Sequence, residues 1–563
     1  MKWLLSFFLA FGFTLSGAIT PARVLVVYQT NAPDKDGDGV GDSLELAMYY
    51  CQKRGVPTAN MVGVTPTVAT IYAAADYGKF QSEIVGPIKA TLAKIGPQNI
   101  DVILIAGALP TKVTNVAGSV RSLDNALIIL NYWSPSFNNL QPFTSPYGAS
   151  LTEKPSFGTD APRFDHSFNF AGTTMYLVAR LGVSDALHGM EELDQDLYAE
   201  RYLSNKPGGY WGTGYVDSRY GIPVGMADAG KPYTDAWLTA NVSAIDPTLM
   251  SYANADAWIA YTEHFIAQAG FPLKWEQSIS SIGDAGATIT NATRALWYGG
   301  WYNFDKYNDV WDWLPGSVAC DLNSAPVFGQ QAIAHGASNT LYVIAEAGLN
   351  GGQRTDILFY YLLRGYTFAE ASALSGVNVG WMDLDEGDPL YAPMAPRSVT
   401  LDTHAPTIAP GYPRVAKVGS TADWLLSLMV DDSTQPELVS VRVDYGVTSV
   451  YGSTKTSGRG YWKHLNILLA GLVADTAYHY KLTLTDPVGN VSSTPDLTFT
   501  TAQNCDLNGD GKLDIFDVQL AVQSALGTRT CGSADVNGDG RCDVRDVQLE
   551  AQSVLAGVCV LGH

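Results

Sequence analysis

Charge is scarce in this chain, and basic charge scarcer still. Of 563 residues only 16% are charged, and 55 acidic against 34 basic side chains leave a net charge of −21. A nucleic-acid phosphate backbone selects a basic face, so nucleic acid is excluded as a partner, and an anionic membrane surface with it. Beyond the first 18 residues, no apolar run reaches the roughly 18 uninterrupted residues of a membrane-spanning helix. There is no Gly-rich phosphate loop, no zinc-ligand spacing and no G-x-S-x-G elbow, which removes three common catalytic classes. Cysteine is sparse too: six residues, with Cys505, Cys531, Cys542 and Cys559 close together near the end. In an oxidising compartment those four allow two bridges in three alternative pairings, which sequence does not choose between; Cys542 also suits a buried free thiol. Apolar residues are plentiful, at 46%, and the length predicts several domains.

The opening MKWLLSFFLAFGFTLSGA joins one Lys, an apolar run and a small-residue cleavage site over residues 1–18. That is the pattern of a secretory signal peptide, so a secreted, extracellular protein with no later membrane span is expected. At the other end, residues 504–563 hold two copies of one loop-and-helix unit, CDLNGDGKLDIFDVQLAVQSAL and ADVNGDGRCDVRDVQLEAQSVL. Oxygen side chains stand at loop positions 1, 3, 5, 9 and 12 in Asp506, Asn508, Asp510, Asp514 and Asp517, and again in Asp535, Asn537, Asp539, Asp543 and Asp546. Position 6 is Gly in both, and position 7 offers the carbonyl of Lys512 or Arg541. Hard oxygen ligands at this spacing, with a Gly for the sharp turn, are what calcium requires. A third such loop, DKDGDGVGDSLE, supplies Asp34, Asp36, Asp38, the Val40 carbonyl, Asp42 and Glu45. Its bland alternative is a solvated acidic turn. Calcium is the expected cofactor.

On these motifs the tail resembles a dockerin, the calcium-dependent module that binds a cohesin. The resemblance implies a cohesin-like protein partner and places recognition at Ile515 and Phe516 and at Val544 and Arg545, the pair after the ninth loop position. Dockerins often carry hydroxyl residues there and Lys-Arg further down the helix. This chain has Val522–Gln523 and Ala551–Gln552 in the latter places, which implies a divergent partner. A calcium-stabilised cap without a partner is the plainer reading.

Between the ends, residues 19–398 alternate apolar strands with helical patterns. RVLVVY, MVGV and DVILIAG read as buried strands; SLELAMYYCQKRG, Phe80–Gly96 and EELDQDLYAERY read as helices, as does TTMYLVARLG. GTGYVDSR, ALWYGG, SVACD and GASNTLYVIAE are further strands around a helix at Trp258–Gly270. This order predicts a doubly wound α/β sheet, with the Asp34–Glu45 loop at its ligand edge. Residues 402–501 change to alternating strands and predict a β-sandwich, most simply a spacer. Leu472, Thr476 and Tyr478 resemble the tyrosine-corner stretch of fibronectin type III domains. The last third of the α/β region, with its Gly-Ala strand, G-x-x-x-x-E-A and closing G-D-P-L, resembles gingipain- and caspase-like peptidase domains. Through RVLVVY, SLDNALIIL, YGGWYNFD and LLRGYTFAEA, the region also resembles an uncharacterised family of secreted bacterial proteins, which brings no activity with it.

The caspase-like resemblance puts a nucleophile at Cys320, at the end of its strand, with a His-Gly after the preceding strand. Gly299-Gly300-Trp301 stands there instead. His335-Gly336 follows Cys320, and His166 and His188 are distant in sequence. The plain reading of Cys320 is a small buried hydrophobe. A second candidate is the aromatic stretch with Trp297, Trp301, Trp311 and Trp313, whose rings could stack on a polysaccharide, with Asp305, Asp309 and Asp312 as carboxylates for glycoside cleavage; ordinary core packing is its alternative. Asp217 with Arg219, Glu346 and Asp388 lie near strand ends. The sequence thus predicts a secreted, calcium-binding modular protein assembled through its tail. The rival reading is an extracellular hydrolase, either a cysteine peptidase or a polysaccharide-degrading enzyme.

Overall fold

The computed structural model describes residues 19–115, 118–132, 143–148, 162–205, 209–219, 252–397, 400–418, 423–474, 476–501, 505–510, 512–536, 541–557 and 559–560. The expected signal segment and loop ligands Asn537 and Asp539 lie outside them. The chain divides into two compact units, residues 1–401 and 402–563. Among the described residues no helix is long and apolar enough to cross a membrane.

The first unit is built on a ten-stranded sheet. Its strands in chain order are β1 (Val24–Gln29), β2 (Met61–Val64), β3 (Val102–Ala106), β4 (Leu177–Leu181), β5 (Thr213–Asp217), β6 (Leu273–Glu276), β7 (Ala292–Gly300), β8 (Trp311–Asp321), β9 (Asn339–Val343) and β10 (Asp383–Glu386). Across the sheet they lie β6-β5-β7-β8-β9-β10-β4-β3-β1-β2. Every pairing is parallel except β9 with β10. The sheet is therefore two parallel blocks of opposite direction, meeting at that seam. The expected α/β sheet is present and largely parallel, and the seam adds a feature to it: the carboxyl ends of β5, β7, β8 and β9 gather at one edge, and those of β1, β3 and β4 at the other.

Apolar runs such as Val102–Ala106 become strands because neighbours on both sides bury all five residues, the pattern of an interior parallel strand. TTMYLVARLG is not a helix. Its Leu177–Leu181 part is β4, with Arg180 fully buried. Arg180 forms a pair with Asp124 and donates from Nη1 to the Leu109 carbonyl at 2.6 Å, so the charge is neutralised where periodicity alone would have placed it in water. The helix Asp42–Arg54 (α1) ends at Gly55, whose φ of 72° lets its N–H reach the Cys51 carbonyl, a left-handed C-cap. Arg54 leaves α1 to pair with Asp388 and Glu200, while Tyr50 Oη donates to Asp388 at 2.8 Å. Asp388 is thus a structural anchor, saturated by partners.

In the second unit, Trp424–Met429 pairs antiparallel with Arg414–Lys417 and His464–Leu469. Ser440–Gly446 pairs with Ser453–Thr456 and with Ala477–Thr485, which also pairs with Val491–Ser493 and Leu497–Thr500. Inward residues of both sheets, among them Leu426, Ile467, Val443 and Leu482, form one apolar cluster, as period-two alternation requires. Tyr478 Oη accepts the Val473 N–H at 3.0 Å. In the tail, helices α2 (Ile515–Ala525) and α3 (Val544–Ala556) each start at an Asp N-cap with a capping box, Asp514 with Asp517 and Asp543 with Asp546. Disulfides join Cys505 to Cys559 and Cys531 to Cys542, so Cys542 is not a free thiol.

Candidate functional site

The carboxyl edge of the second block opens into a cleft of about 230 Å³, lined by Trp301, Asp321, Asn323, Glu346, Gly348 and Gly352 among others. Strand ends build it. Gly300, the last residue of β7, pairs with Asp217 on one side and Asp321 on the other. A Cβ at Gly300 would press on the Asp217 backbone, so Gly is what lets the three ends close up. Asp321 is 6% exposed. Its Oδ1 accepts the Tyr302 N–H at 3.1 Å and the Asn323 N–H at 3.3 Å. The Asn323 amide donates to both carboxyl oxygens at 3.3 Å and also to the Tyr302 carbonyl. Burial pushes Asp321 up to about 7, against those hydrogen bonds and the Arg219 charge, which lower it. A buried carboxyl shifted into the neutral range and lining a cleft is a candidate proton-transfer group; Glu386 and Asp385 are raised similarly by burial but do not line this cleft.

Behind it, burial raises Asp217 well above the ordinary carboxylate range, with Arg219 opposing. Asp256 takes the Trp301 indole N–H at 2.8 Å and the Arg219 backbone N–H at 3.2 Å, fixing the cleft wall. Glu346 is exposed at the rim, its Oε1 accepting the Gly348 N–H at 2.8 Å. Of the strand-end acids singled out in the sequence, only Glu346 lines the cleft. Asp321, which does the most there, carries no sequence signal beyond following Cys320.

Cys320 itself points the other way. Alternation along β8 sends its side chain inward, and it is a fully buried free thiol. Burial, then Asp321, Asp385, Asp383 and Asp356, push the thiol well up. A catalytic cysteine needs the reverse, a cation or imidazolium that favours the thiolate. The three histidines considered have partners elsewhere: His166 pairs with Asp101 at 3.2 Å, His188 Nε2 meets the Ile333 carbonyl at 3.0 Å, and His335 Nδ1 meets the Gln331 carbonyl at 2.7 Å. The structure thus places Cys320 as an interior hydrophobe.

The aromatic stretch is likewise interior. Trp297, Trp311 and Trp313 have 0% exposure, and Trp311 stacks on Trp313 at 4.6 Å. A sugar platform must be open on one face; of the four only Trp301 lines the cleft, and at 5% exposure it is closed as well. Asp305 and Asp309 are exposed and Asp312 half-buried, and none lines the cleft.

Two of the acidic loops are curled by their own side chains. Asp34 accepts the N–H groups of Gly37, Asp38 and Gly39 at 2.8–3.1 Å, and Asp38 accepts that of Val40 at 2.7 Å. Carboxylate oxygens of Asp34, Asp36 and Asp42, and of Asp36, Asp38 and Glu45, lie within 4.8 Å of one another. Asp42 Oδ2 and Glu45 Oε2 are buried and find no hydrogen-bond partner among the described residues. Burial and the four neighbouring aspartates push Glu45 up. This donor set fits a calcium ion. The loop follows β1, so it sits at the carboxyl edge of the first block, away from the edge that holds the cleft.

The first tail loop repeats the curl. Asp506 Oδ1 accepts from Gly509 at 2.8 Å, Asn508 Oδ1 from Asp510 at 2.8 Å, Asp510 Oδ1 from Lys512 at 2.9 Å, and Asp517 from Asn508 at 3.1 Å and Asp514 at 2.9 Å. In the second, Asp543 and Asp546 repeat the capping geometry, Asp535 is half-buried and Arg541 exposed. Glu550, which the spacing did not flag, is buried with both carboxyl oxygens unpartnered among the described residues, and Asp517 and Asp506 act on it. Ile515, Phe516 and Val544 stand 56–66% exposed on the first turns of α2 and α3, with Arg545 exposed beside Val544.

No protein-family model matches the chain, and no curated protein matches it. Solved structures give distant neighbours. The crystal structure of gingipain R, an Arg-specific cysteine proteinase, is 13% identical, with 85% of this chain and 98% of that one covered at a TM-score of 0.34. The complex of Porphyromonas gingivalis RgpB pro- and mature domains is 12% identical, with 84% and 99% covered and a TM-score of 0.34. A human fibronectin type III domain is 20% identical over 17% of this chain and 72% of its own, with a TM-score of 0.14. The chain is a mixed α/β multidomain protein with a large, parallel-rich sheet in its first unit.

Proposed function

We propose that the α/β unit is an extracellular hydrolase acting through carboxyl groups at the edge cleft, on a multidomain chain that binds calcium. The observation that carries this reading is Asp321, held near pH 7 by burial at the mouth of a cleft that Glu346 also lines. With its pKa pushed up to about 7, Asp321 is protonated in a large share of molecules at neutral pH, and that form gives its proton to the leaving atom as the scissile bond breaks. Glu346 takes a proton from water as the water oxygen bonds to the electrophilic centre, and exchange with solvent resets both. Two disulfides in the tail support an oxidising, extracellular setting.

The test is a glycan and peptide substrate screen on the full chain, with and without calcium. Asp321→Asn should lower turnover by about 10²–10⁴-fold, the range of general acid–base catalysis, and Cys320→Ala should leave it unchanged. Loss of activity in Cys320→Ala with Asp321→Asn intact would return the cysteine-peptidase reading in its place.

A second reading concerns the tail, favoured by the exposed apolar residues Ile515 and Val544 at matching positions of two duplicated helices, with exposed Phe516 beside the first. On this reading the calcium-loaded tail docks a cohesin-like protein through them and Arg545. Phe516→Ser with Val544→Ser should abolish calcium-dependent capture by a panel of cohesins while leaving the melting temperature unchanged; capture that survives the double change would refute it.

A further inference from the structure

Three carboxylates distant in sequence meet inside the β-sandwich. Asp402 lies on the segment leading into it, Glu437 just ahead of the strand Ser440–Gly446, and Asp486 just after the strand Ala477–Thr485. Those two strands pair with Ser440 opposite Thr485, which brings Glu437 and Asp486 to the same end. One carboxylate oxygen from each of Asp402, Glu437 and Asp486 lies within 4.8 Å of the others. All three residues are at most 4% exposed.

Two are held rigidly. Asp486 Oδ1 accepts the N–H groups of Val488 at 3.0 Å, Gly489 at 2.7 Å and Asn490 at 2.8 Å, and Oδ2 takes the Asn490 side-chain amide at 2.8 Å. That same amide reaches the Asp402 carbonyl at 3.3 Å, and Asp402 Oδ1 accepts the His404 N–H at 3.2 Å. Glu437 is different: its Oε1 is sealed from solvent and has no hydrogen-bond partner among the described residues. A carboxylate with an unpaired, buried oxygen, set beside two other buried carboxylates, is costly. A hard divalent cation reverses the cost, since every oxygen becomes a ligand.

We propose that the sandwich holds its own calcium site, formed by Asp402, Glu437 and Asp486. Separations inside 4.8 Å suit oxygens on one ion at about 2.3–2.6 Å each. The rest of the shell would come from carbonyls or water. The site shares no residue with the three acidic loops and ties the chain entering the sandwich to two of its turns.

The test uses the full chain, with calcium counted by equilibrium dialysis and metal analysis, and melting followed with calcium and with chelator. Glu437→Gln should bind one calcium ion fewer per chain than the parent. In chelator its sandwich should melt at or above the parent's temperature, because the neutral amide relieves the repulsion; in calcium it should melt below the parent. Asp402→Asn, checked for native near-UV circular dichroism, should lose the same ion. Unchanged calcium counts in both folded variants would overturn the site.

Discussion

Replacing Asp321 with Asn should stabilise the α/β unit at alkaline pH and do nothing of the kind in acid. The carboxyl moves from 3.8 to about 7 on folding, and each unit corresponds to about 1.4 kcal/mol. Below pH 4 both folded and unfolded chains are protonated at this site, so ionisation has no effect on the balance. As pH rises from about 4 to about 7, the unfolded chain ionises while the folded one keeps its proton, and stability falls; above 7 the loss is complete, at about 4 kcal/mol. Solvent screening removes little, because the residue is 6% exposed. Asn preserves the Oδ1 acceptor used by Tyr302 and Asn323. Its new NH₂ group, though, faces the Asn323 amide that formerly donated to Oδ2, a mismatch of about 1 kcal/mol. The expectation is therefore a net gain of about 3 kcal/mol at pH 8.5 and a loss of about 1 kcal/mol near pH 4. Urea melts followed by tryptophan fluorescence from pH 4 to 8.5 read the difference directly, with other titrating groups common to both chains. A variant-minus-parent difference that is flat with pH would refute the assignment of Asp321 as a carboxyl neutralised by burial.

Three other perturbations follow from the same structure. Asp36→Ala with Asp38→Ala should abolish the calcium-dependent protection of the first unit from proteolysis; at calcium one hundred times the dissociation constant, that is a loss of about 2.7 kcal/mol. Arg180→Leu strands Asp124 without its buried partner and should destabilise the first unit by about 3–5 kcal/mol in a denaturant titration. Cys505→Ser opens a loop with a sequence separation of 54 and should lower tail stability by about 4 kcal/mol on the chain-entropy model, seen as a lower melting temperature of the tail under non-reducing conditions.

Much of the architecture was legible from local pattern. Val102–Ala106 and Trp424–Met429 announce themselves by an unbroken apolar run and by alternation, because each is long enough for its burial to show in residue type. Leu177–Leu181 does not, since Arg180 in its middle suggests a wet helix face; only Asp124 and the Leu109 carbonyl, more than fifty residues upstream, make it a buried strand. The end of the strand at Cys320 was also legible, but two-residue alternation turned the thiol inward and its neighbour Asp321 outward. What makes Asp321 chemically distinct is the packing of Gly300, Tyr302 and Asn323 around it, and packing is not written in spacing. The grouping of the loop carboxylates was legible because their spacing lies within a single loop. Asp402, Glu437 and Asp486 were not, because their meeting depends on strand register.

The seam between Asn339–Val343 and Asp383–Glu386 sets an order of assembly. Asp383–Glu386 is the last strand of its sheet to be synthesised, yet it runs parallel to Leu177–Leu181 and belongs to the block begun by Val24–Gln29. As the chain emerges from a ribosome or a translocation pore, the early block must wait with an unpaired edge while all five strands of the later one appear. Only then can the final strand pair on both sides at once. A chain halted before residue 383 would therefore carry two open sheet edges where the finished protein has a continuous ladder, and edges of that kind recruit chaperones or one another.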